Sequence, residues 1–341
     1  MFGISRESFT RRFHSSSFKP SVDGGWLTRE EAIMGTAISV ELWCKDKSSG
    51  ERAIAAVMGE MHRIDRLMSP HKLDSELTLI NRNAGKAAVS VSQEMFLLLQ
   101  RAAYFAQRSS GAFDISYAAV GRLYDYRKKI RPTAAELEKA RAAVGYQRIV
   151  LDEAQQTVRF EHPEACIDLG GFAKGHAVDN AAKILREHGI EHANISAGGD
   201  SRVMGDRCGR PWMIGVRDPR SEAGVVAVLP LEDVSISTSG DYERYFLAGG
   251  ARFHHLIDPS TGRSPDAIRS VTILADDGLT TEALSKSVFV MGVERGMKLV
   301  ASFVGADAVV VDADGGLHYS SNLLDFDPAK QQAAEPVLAT V

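Results

Sequence analysis

The stretch Ile167-Asp168-Leu169-Gly170-Gly171-Phe172-Ala173-Lys174-Gly175-His176-Ala177-Val178-Asp179 constrains this chain more than any other. A short apolar run ends in an acid, a glycine pair turns the chain, and a helical pattern begins. Ala177, Val178, Ala181, Ile184 and Leu185 recur at helical spacing, and Gly189 supplies a stop. Glycines at a strand-to-helix joint let a ligand approach the backbone, and the free N–H groups of a helix start attract anions, phosphate above all. Lys174 adds a mobile positive charge, and Asp168 is placed to hold a ribose hydroxyl or a metal. The spacing is neither G-x-G-x-x-G nor a P-loop. Taken alone, such a joint is equally an ordinary packing corner.

Downstream polar clusters shift that balance. Ser237-Thr238-Ser239-Gly240-Asp241 ends an apolar strand with hydroxyls and turn amides suited to phosphate oxygens, or simply to capping the next element. Arg244 follows a turn later as a fixed cation. His255-Leu256-Ile257-Asp258-Pro259-Ser260-Thr261-Gly262 sets a histidine and an acid three residues apart before strong turn chemistry. On an alternating strand His255 and Ile257 share a face, with Asp258 at its edge. A turn acid beside a surface histidine is the plain reading; a general base near neutral pH is the functional one. Glu282 and Lys286 are spaced i,i+4 at the start of a long helix, either as a surface ion pair or with Glu282 at a cation near phosphate.

The bulk numbers exclude several classes. A chain of 341 residues holds one large core or two lobes, and 44% hydrophobic with 25% charged residues is the balance of a soluble globular protein. A net charge of −4 without basic runs argues against nucleic acid as the main partner. Cys44, Cys166 and Cys208 are far apart and odd in number, and no Cys-x-x-Cys spacing occurs, so each reads as a small buried residue. No apolar run reaches membrane-spanning length. Residues 1–25 lack the apolar core of a secretory signal and read as a poorly ordered tail, residues 26–325 as the folded domain and residues 326–341 as a loose tail. A cytoplasmic location is the expectation.

Along the chain, Met34 to Trp43 alternates as a half-buried strand, and residues 51–68 carry a Met-rich helical stripe. Ser75 caps a short helix reaching Asn81, and Ser90 with Gln93 forms a capping box for a helix to about Ser109. Gly111 to Ser116 reads as a turn feeding an extended piece. Thr133 and Glu136 form a second capping box, and a hairpin spans residues 147–161. Strands are expected at 193–196, 212–217, 225–231, 233–237, 270–276 and 307–312, with a helix from about Thr281 to Phe303. Antiparallel-looking strands mixed with helices give an α+β fold with two lobes rather than a doubly wound sheet.

Together these motifs resemble the ApbE family of FAD:protein FMN transferases, in order and over residues 34–303. The resemblance rests on Met34-Gly35-Thr36, Ser69-Pro70-His71 with Ser75-Glu76-Leu77 and Asn81, and Gly111-Ala112-Phe113-Asp114. It continues through the Asp168 to Gly175 stretch, Gly198-Gly199-Asp200, Thr238-Ser239-Gly240-Asp241 and His255 to Gly262. It implies a two-lobed, T-fold-like architecture of mixed, largely antiparallel sheets flanked by helices. It also implies cleavage of FAD with Mg²⁺, release of AMP, and attachment of FMN through a phosphoester to a Thr or Ser of a target flavoprotein. His255, Asp258 and Lys174 would then be catalytic. Met34, Ser69, Ala112, Phe113, Asp114, Asp168, Gly171, Lys174, Thr238, Ser239, Gly240, Arg244, His255 and Ile257 would contact FAD.

At the metal the sequence departs from the family, whose helix start reads Asp-Ala-Leu-x-Thr with a backbone carbonyl from the glycine turn, here that of Ala173. This chain has Glu282-Ala283-Leu284-Ser285-Lys286. Glutamate keeps the charge on a longer arm, whereas a protonated lysine cannot ligate. Either an internal cation replaces the metal or Mg²⁺ binds poorly. Two further readings follow from this departure: an FAD-binding protein without transfer, and a pyrophosphatase giving FMN and AMP.

Overall fold

The computed structural model describes residues 24–221, 224–324 and 339–340. Its frame is an eight-stranded sheet whose members lie side by side in chain order. These are Gly25–Ile33, Thr36–Cys44, Ala193–Ala197, Asp200–Met204, Val234–Gly240, Ile268–Ala275, Asp307–Asp312 and Leu317–Tyr319. Every neighbouring pair is antiparallel.

Period-two alternation decides what each face carries. Ile38, Val40 and Leu42 are buried under a layer of helices, joined by Ala193, Ile195 and Ala197 from the next strand. In Val234–Gly240 the apolar Val234 and Ile236 turn the other way, toward Trp212, Ile214, Leu229 and Leu231 of a second, smaller sheet. Ser235, Ser237 and Ser239 therefore look at the helices, and that serine row becomes the floor of the site.

The helix layer is Lys47–Met68, Ala173–Glu187 and Gly278–Met291. The Met-rich stripe of the first helix is core, with Met58, Met61 and Met68 buried. A polar seam also ties the layers together: Arg63 donates to both oxygens of Glu94 at 2.6 and 2.7 Å, and Glu94 meets His176 at 2.7 Å. The remaining elements are Glu76–Asn83, Gln93–Arg108, Ala134–Arg141 and a three-stranded sheet of Val89–Ser90, Ile149–Asp152 and Thr157–Phe160. Leu77, Met95, Phe105 and Val158 share one core with Ile38 and Leu42. The α+β class and the largely antiparallel sheets are as expected; the exception is Ala339–Thr340, which pairs in parallel with Ile214–Gly215.

Several local expectations need correcting. Ser92, not Ser90, caps the helix starting at Gln93, because Ser90 is engaged in pairing with Thr157. The segment after Gly111 is not extended; Asp114 caps a short 3-10 turn, Ile115–Tyr117. The helix expected from Thr281 starts at Gly278, where Asp277 accepts from the N–H of Thr280, and breaks at Gly292, whose φ is +81°. Residues 165–169 join no ladder. Instead the Asn81 amide binds the Ile167 backbone on both sides, at 2.9 and 2.8 Å. The strand Gly25–Ile33 begins at the edge of the expected tail, whose residues 1–23 lie outside the described residues, as do 325–338 and 341 of the other.

Candidate active site

The Ala173 helix and the Gly278 helix approach so closely that their backbones touch. A Cβ on Gly175 would sit 2.3 Å from the carbonyl oxygen of Gly278, and one on Gly278 would sit 2.5 Å from that of Gly175. Only glycine at both positions permits this crossing. It brings the fully buried carboxylate of Glu282 to the start of the Ala173 helix, where Oε2 accepts from the Gly175 N–H at 2.7 Å. Phe172 offers that helix no side-chain cap, so Glu282 serves as one from across the interface. A protein carboxylate thus occupies part of the helix start that the sequence suggested for phosphate.

Around Glu282 the charges close into a quartet. Lys174 Nζ donates to Glu282 Oε1 at 2.8 Å and also to Asp200, while Lys286 Nζ donates to the same Oε1 at 3.1 Å. Asp200 accepts in addition from Ser237 Oγ at 2.6 Å. Ser237 and Ser239 both reach Ser285, at 3.2 and 2.9 Å, fastening the serine row to the helix. Burial alone would lower the Lys174 ammonium, but the charges of Asp200 and Glu282 outweigh it and hold it above the usual lysine range. Burial likewise would raise Asp200, yet Lys174 and Lys286 keep its carboxyl below the usual value. The side chain of Lys286 passes over the glycine turn: a Cβ on Gly171 would meet its Cε at 3.1 Å.

His255 stands beside this quartet. Its Nδ1 is buried without a hydrogen-bond partner. Burial first, then the charges of His254, Arg244, Lys286 and Lys174, push its pKa down to about 3, so the ring is neutral near pH 7. Its backbone N–H donates to the carbonyl of Arg244 at 3.0 Å. The Arg244 side chain is exposed, forms no ion pair among the described residues, and lies 4.0 Å from a Cβ placed on Gly35. Next to Arg244, the Tyr117 phenol is held well above its ordinary pKa by the charge of Asp168, then by burial. Asp168 Oδ1 accepts from the Gly170 N–H at 2.6 Å, pinning the glycine turn.

The predicted residues therefore divide. Lys174, Gly171, Ala173, Asp168, Arg244, His255, Glu282 and Lys286 surround one charged centre. Met34 is at its edge, in the hairpin turn before Gly35, with φ +54°. Thr238 points elsewhere: its hydroxyl bonds Thr272 at 2.9 Å on the face opposite Ser237 and Ser239, and its N–H donates to Gly199. Ser239 is buried against Ser285, and Gly240 closes the strand under the Tyr242 ring. Asp258 does not assist His255. Its oxygens accept from Ser260 at 2.8 and 2.7 Å and from Thr261 at 3.1 Å, inside its own turn. Ile257 packs with Val120 and Leu137.

Four further assignments are positional rather than in contact with the centre. Phe113 lies 5.3 Å from the ring of Phe172, under the start of the Ala173 helix, and Ala112 belongs to the turn leading there. Both Asp114 oxygens are taken, by Ser116 and by the N–H of Tyr146. Ser69 ends the first helix and accepts from Ser75 through its carbonyl at 2.7 Å. Asp200, Ser237, Ser285 and Asn81 carry the geometry without having been assigned to the site. The available signals were Asn81 and Asp200 within the motifs that carry the resemblance and the alternation of serines at 235, 237 and 239 opposite apolar residues.

The resemblance implies Mg²⁺ here, and the donor set does not suit it. Both Glu282 oxygens and both Asp200 oxygens already accept from ammonium, amide or hydroxyl donors. The position expected to supply a neutral oxygen carries an ammonium, which has no lone pair to offer. Among the described residues no cluster of three or more His, Cys, Asp or Glu side chains is placed to hold a metal ion.

Comparison with known proteins adds an independent line. A model of the ApbE family matches residues 34–310. A FAD:protein FMN transferase of Treponema pallidum is 30% identical over 317 residues, spanning 87% of this chain and 88% of the relative. One of Vibrio cholerae is 32% identical over 270 residues, spanning 77% and 80%. Among solved structures, the ApbE protein of Thermotoga maritima is similar with a TM-score of 0.82 at 33% identity, covering 89% of this chain and 99% of that one. The flavin transferase ApbE of Vibrio cholerae gives 0.80 at 27% identity, covering 89% and 100%.

Proposed function

The chain belongs to the ApbE family, and on that premise we propose that it is a FAD:protein FMN transferase. The observation that carries this reading is the gathering of Lys174, Lys286, Arg244 and a neutral His255 around one glycine turn. A diphosphate needs its charge balanced, and an incoming hydroxyl needs a group to take its proton. Both kinds of group converge here.

In this reading the acceptor is a Thr or Ser hydroxyl of a flavoprotein, and AMP is the leaving group. Arg244, exposed and free of ion pairs among the described residues, steers the diphosphate in; Lys174 and Lys286 face it from fixed positions. Bound phosphate charge beside His255 raises the affinity of its free Nδ1 for a proton, reversing the depression caused by the surrounding cations. His255 is then matched to accept the hydroxyl proton only when FAD is present. The cations at hand are these side chains, because the carboxylate oxygens a Mg²⁺ ion would need already accept from Lys174, Lys286, Ser237 and the Gly175 N–H.

Incubating the full chain with FAD and a target fragment carrying an acceptor Thr tests this. In-gel flavin fluorescence on the target together with free AMP is the expected result. AMP without a labelled target would indicate hydrolysis instead, and a yellow protein with neither product would indicate storage.

A further inference from the structure

We propose that the ammonium of Lys286 stands in for the divalent cation, so that this chain transfers FMN without a metal. The inference rests on the FMN-transfer reading above. Four observations carry it. Lys286 donates to Glu282 Oε1, the acid that the family pattern would offer to a metal. Lys174 shares that oxygen, so a cation entering there would meet two ammonium groups already donating to it. The second Glu282 oxygen is committed to the Gly175 N–H and the nearest other acid, Asp200, to Lys174 and Ser237. Finally, the stem of Lys286 lies against Gly171, which fixes the ammonium at the mouth of the glycine turn with its side chain 19% exposed.

Glu282 and Asp200 are buried and Lys174 with Lys286 neutralises them, so Lys286 acts on the phosphate as a local hydrogen-bond donor and Arg244 brings the surplus charge. A charge built into the chain needs no loading and cannot be chelated. In the transfer, the acceptor oxygen bonds to the phosphorus on the flavin side, and the bond from that phosphorus to the bridging oxygen breaks. The electron pair stays on the bridging oxygen and leaves with AMP. The acceptor proton passes to His255, while Lys286 keeps its own protons and stabilises the charge that grows on the phosphate oxygens.

The test compares the full chain, FAD and the acceptor-Thr fragment in excess EDTA and in millimolar MgCl₂, reading AMP and flavin on the target. The expected result is equal labelling in both. Lys286→Thr, which removes the ammonium and restores a hydroxyl, should lose about 100-fold in EDTA and recover with MgCl₂; Lys286→Arg should remain indifferent to EDTA. Flavin fluorescence quenching in each variant confirms that FAD still binds. Wild-type labelling that disappears in EDTA and returns with MgCl₂ overturns metal independence and leaves transfer standing. Absence of AMP in both conditions overturns transfer itself, and this inference with it.

Discussion

Gly175 and Gly278 meet backbone to backbone, each leaving no room for a Cβ on the other. Everything at the candidate site depends on that contact, because it sets Glu282 against the start of the Ala173 helix and aligns Lys174 with Lys286. Gly175→Ala would drive a methyl into a carbonyl, and relief demands that one helix shift. A loss of about 3 kcal/mol or more is expected from such overpacking. Chemical denaturation measures it, and a loss below about 1 kcal/mol would show that the helices are not in contact.

Met34 holds a left-handed backbone in a two-residue hairpin turn, between Ile33 and Thr36, where Asn or Gly is the ordinary choice. Such strain persists where function keeps it. Met34→Asn should stabilise the fold by about 1 kcal/mol while weakening FAD binding, since Gly35 beside it borders Arg244. Thermal unfolding and flavin titration, done on the same sample, read the two effects separately. Unchanged affinity would remove Met34 from the site.

The state of His255 makes stability depend on pH with a definite sign. Its folded pKa is about 3 against an ordinary value of 6.5. Between those values the unfolded chain binds a proton that the folded chain refuses, so stability falls as pH drops from 6.5 toward 3. His255→Gln should flatten that slope and reduce transfer at neutral pH by about 100-fold or more. Denaturation midpoints across pH 4–7 provide the check; parallel curves for the two proteins would place His255 in contact with solvent.

Much of the architecture was legible in the chain because it is written in local periodicity. The Met58, Met61 and Met68 stripe, the Thr133–Glu136 capping box and the strand Asp307–Asp312 need no distant partner to be seen. What escaped depends on contacts between remote segments. Whether Thr238 or Ser237 faces the helices is set by one residue of strand register, and the strand proved longer than its apolar core suggested. Asp258 looked like a partner for His255 because they are close in sequence, yet the hydroxyls and amide of its own turn take its oxygens. The Glu282–Lys286 departure was visible, whereas the burial of Glu282 and its cap on a helix 107 residues away were not.

Asn81 illustrates control from a distance. Its amide both donates to and accepts from the Ile167 backbone, and the next residue, Asp168, sets the glycine turn. Asn81→Ala leaves two backbone groups without their partner and should cost about 1–3 kcal/mol. Because the turn carries Lys174 beyond it, KM for FAD should rise more than stability loss alone explains. Initial rates at temperatures well below unfolding separate the two, and an unaltered KM would make Asn81 a structural latch only.

The most direct test of the whole account is the ratio of dissociation constants for riboflavin and FAD, measured by flavin fluorescence quenching at low ionic strength in EDTA. Lys174, Lys286 and Arg244 surrounding one turn predict that the diphosphate supplies most of the grip, so FAD should bind about 100-fold tighter than riboflavin and lose much of that advantage in salt. Equal affinity for the two flavins, unaffected by salt, would contradict it.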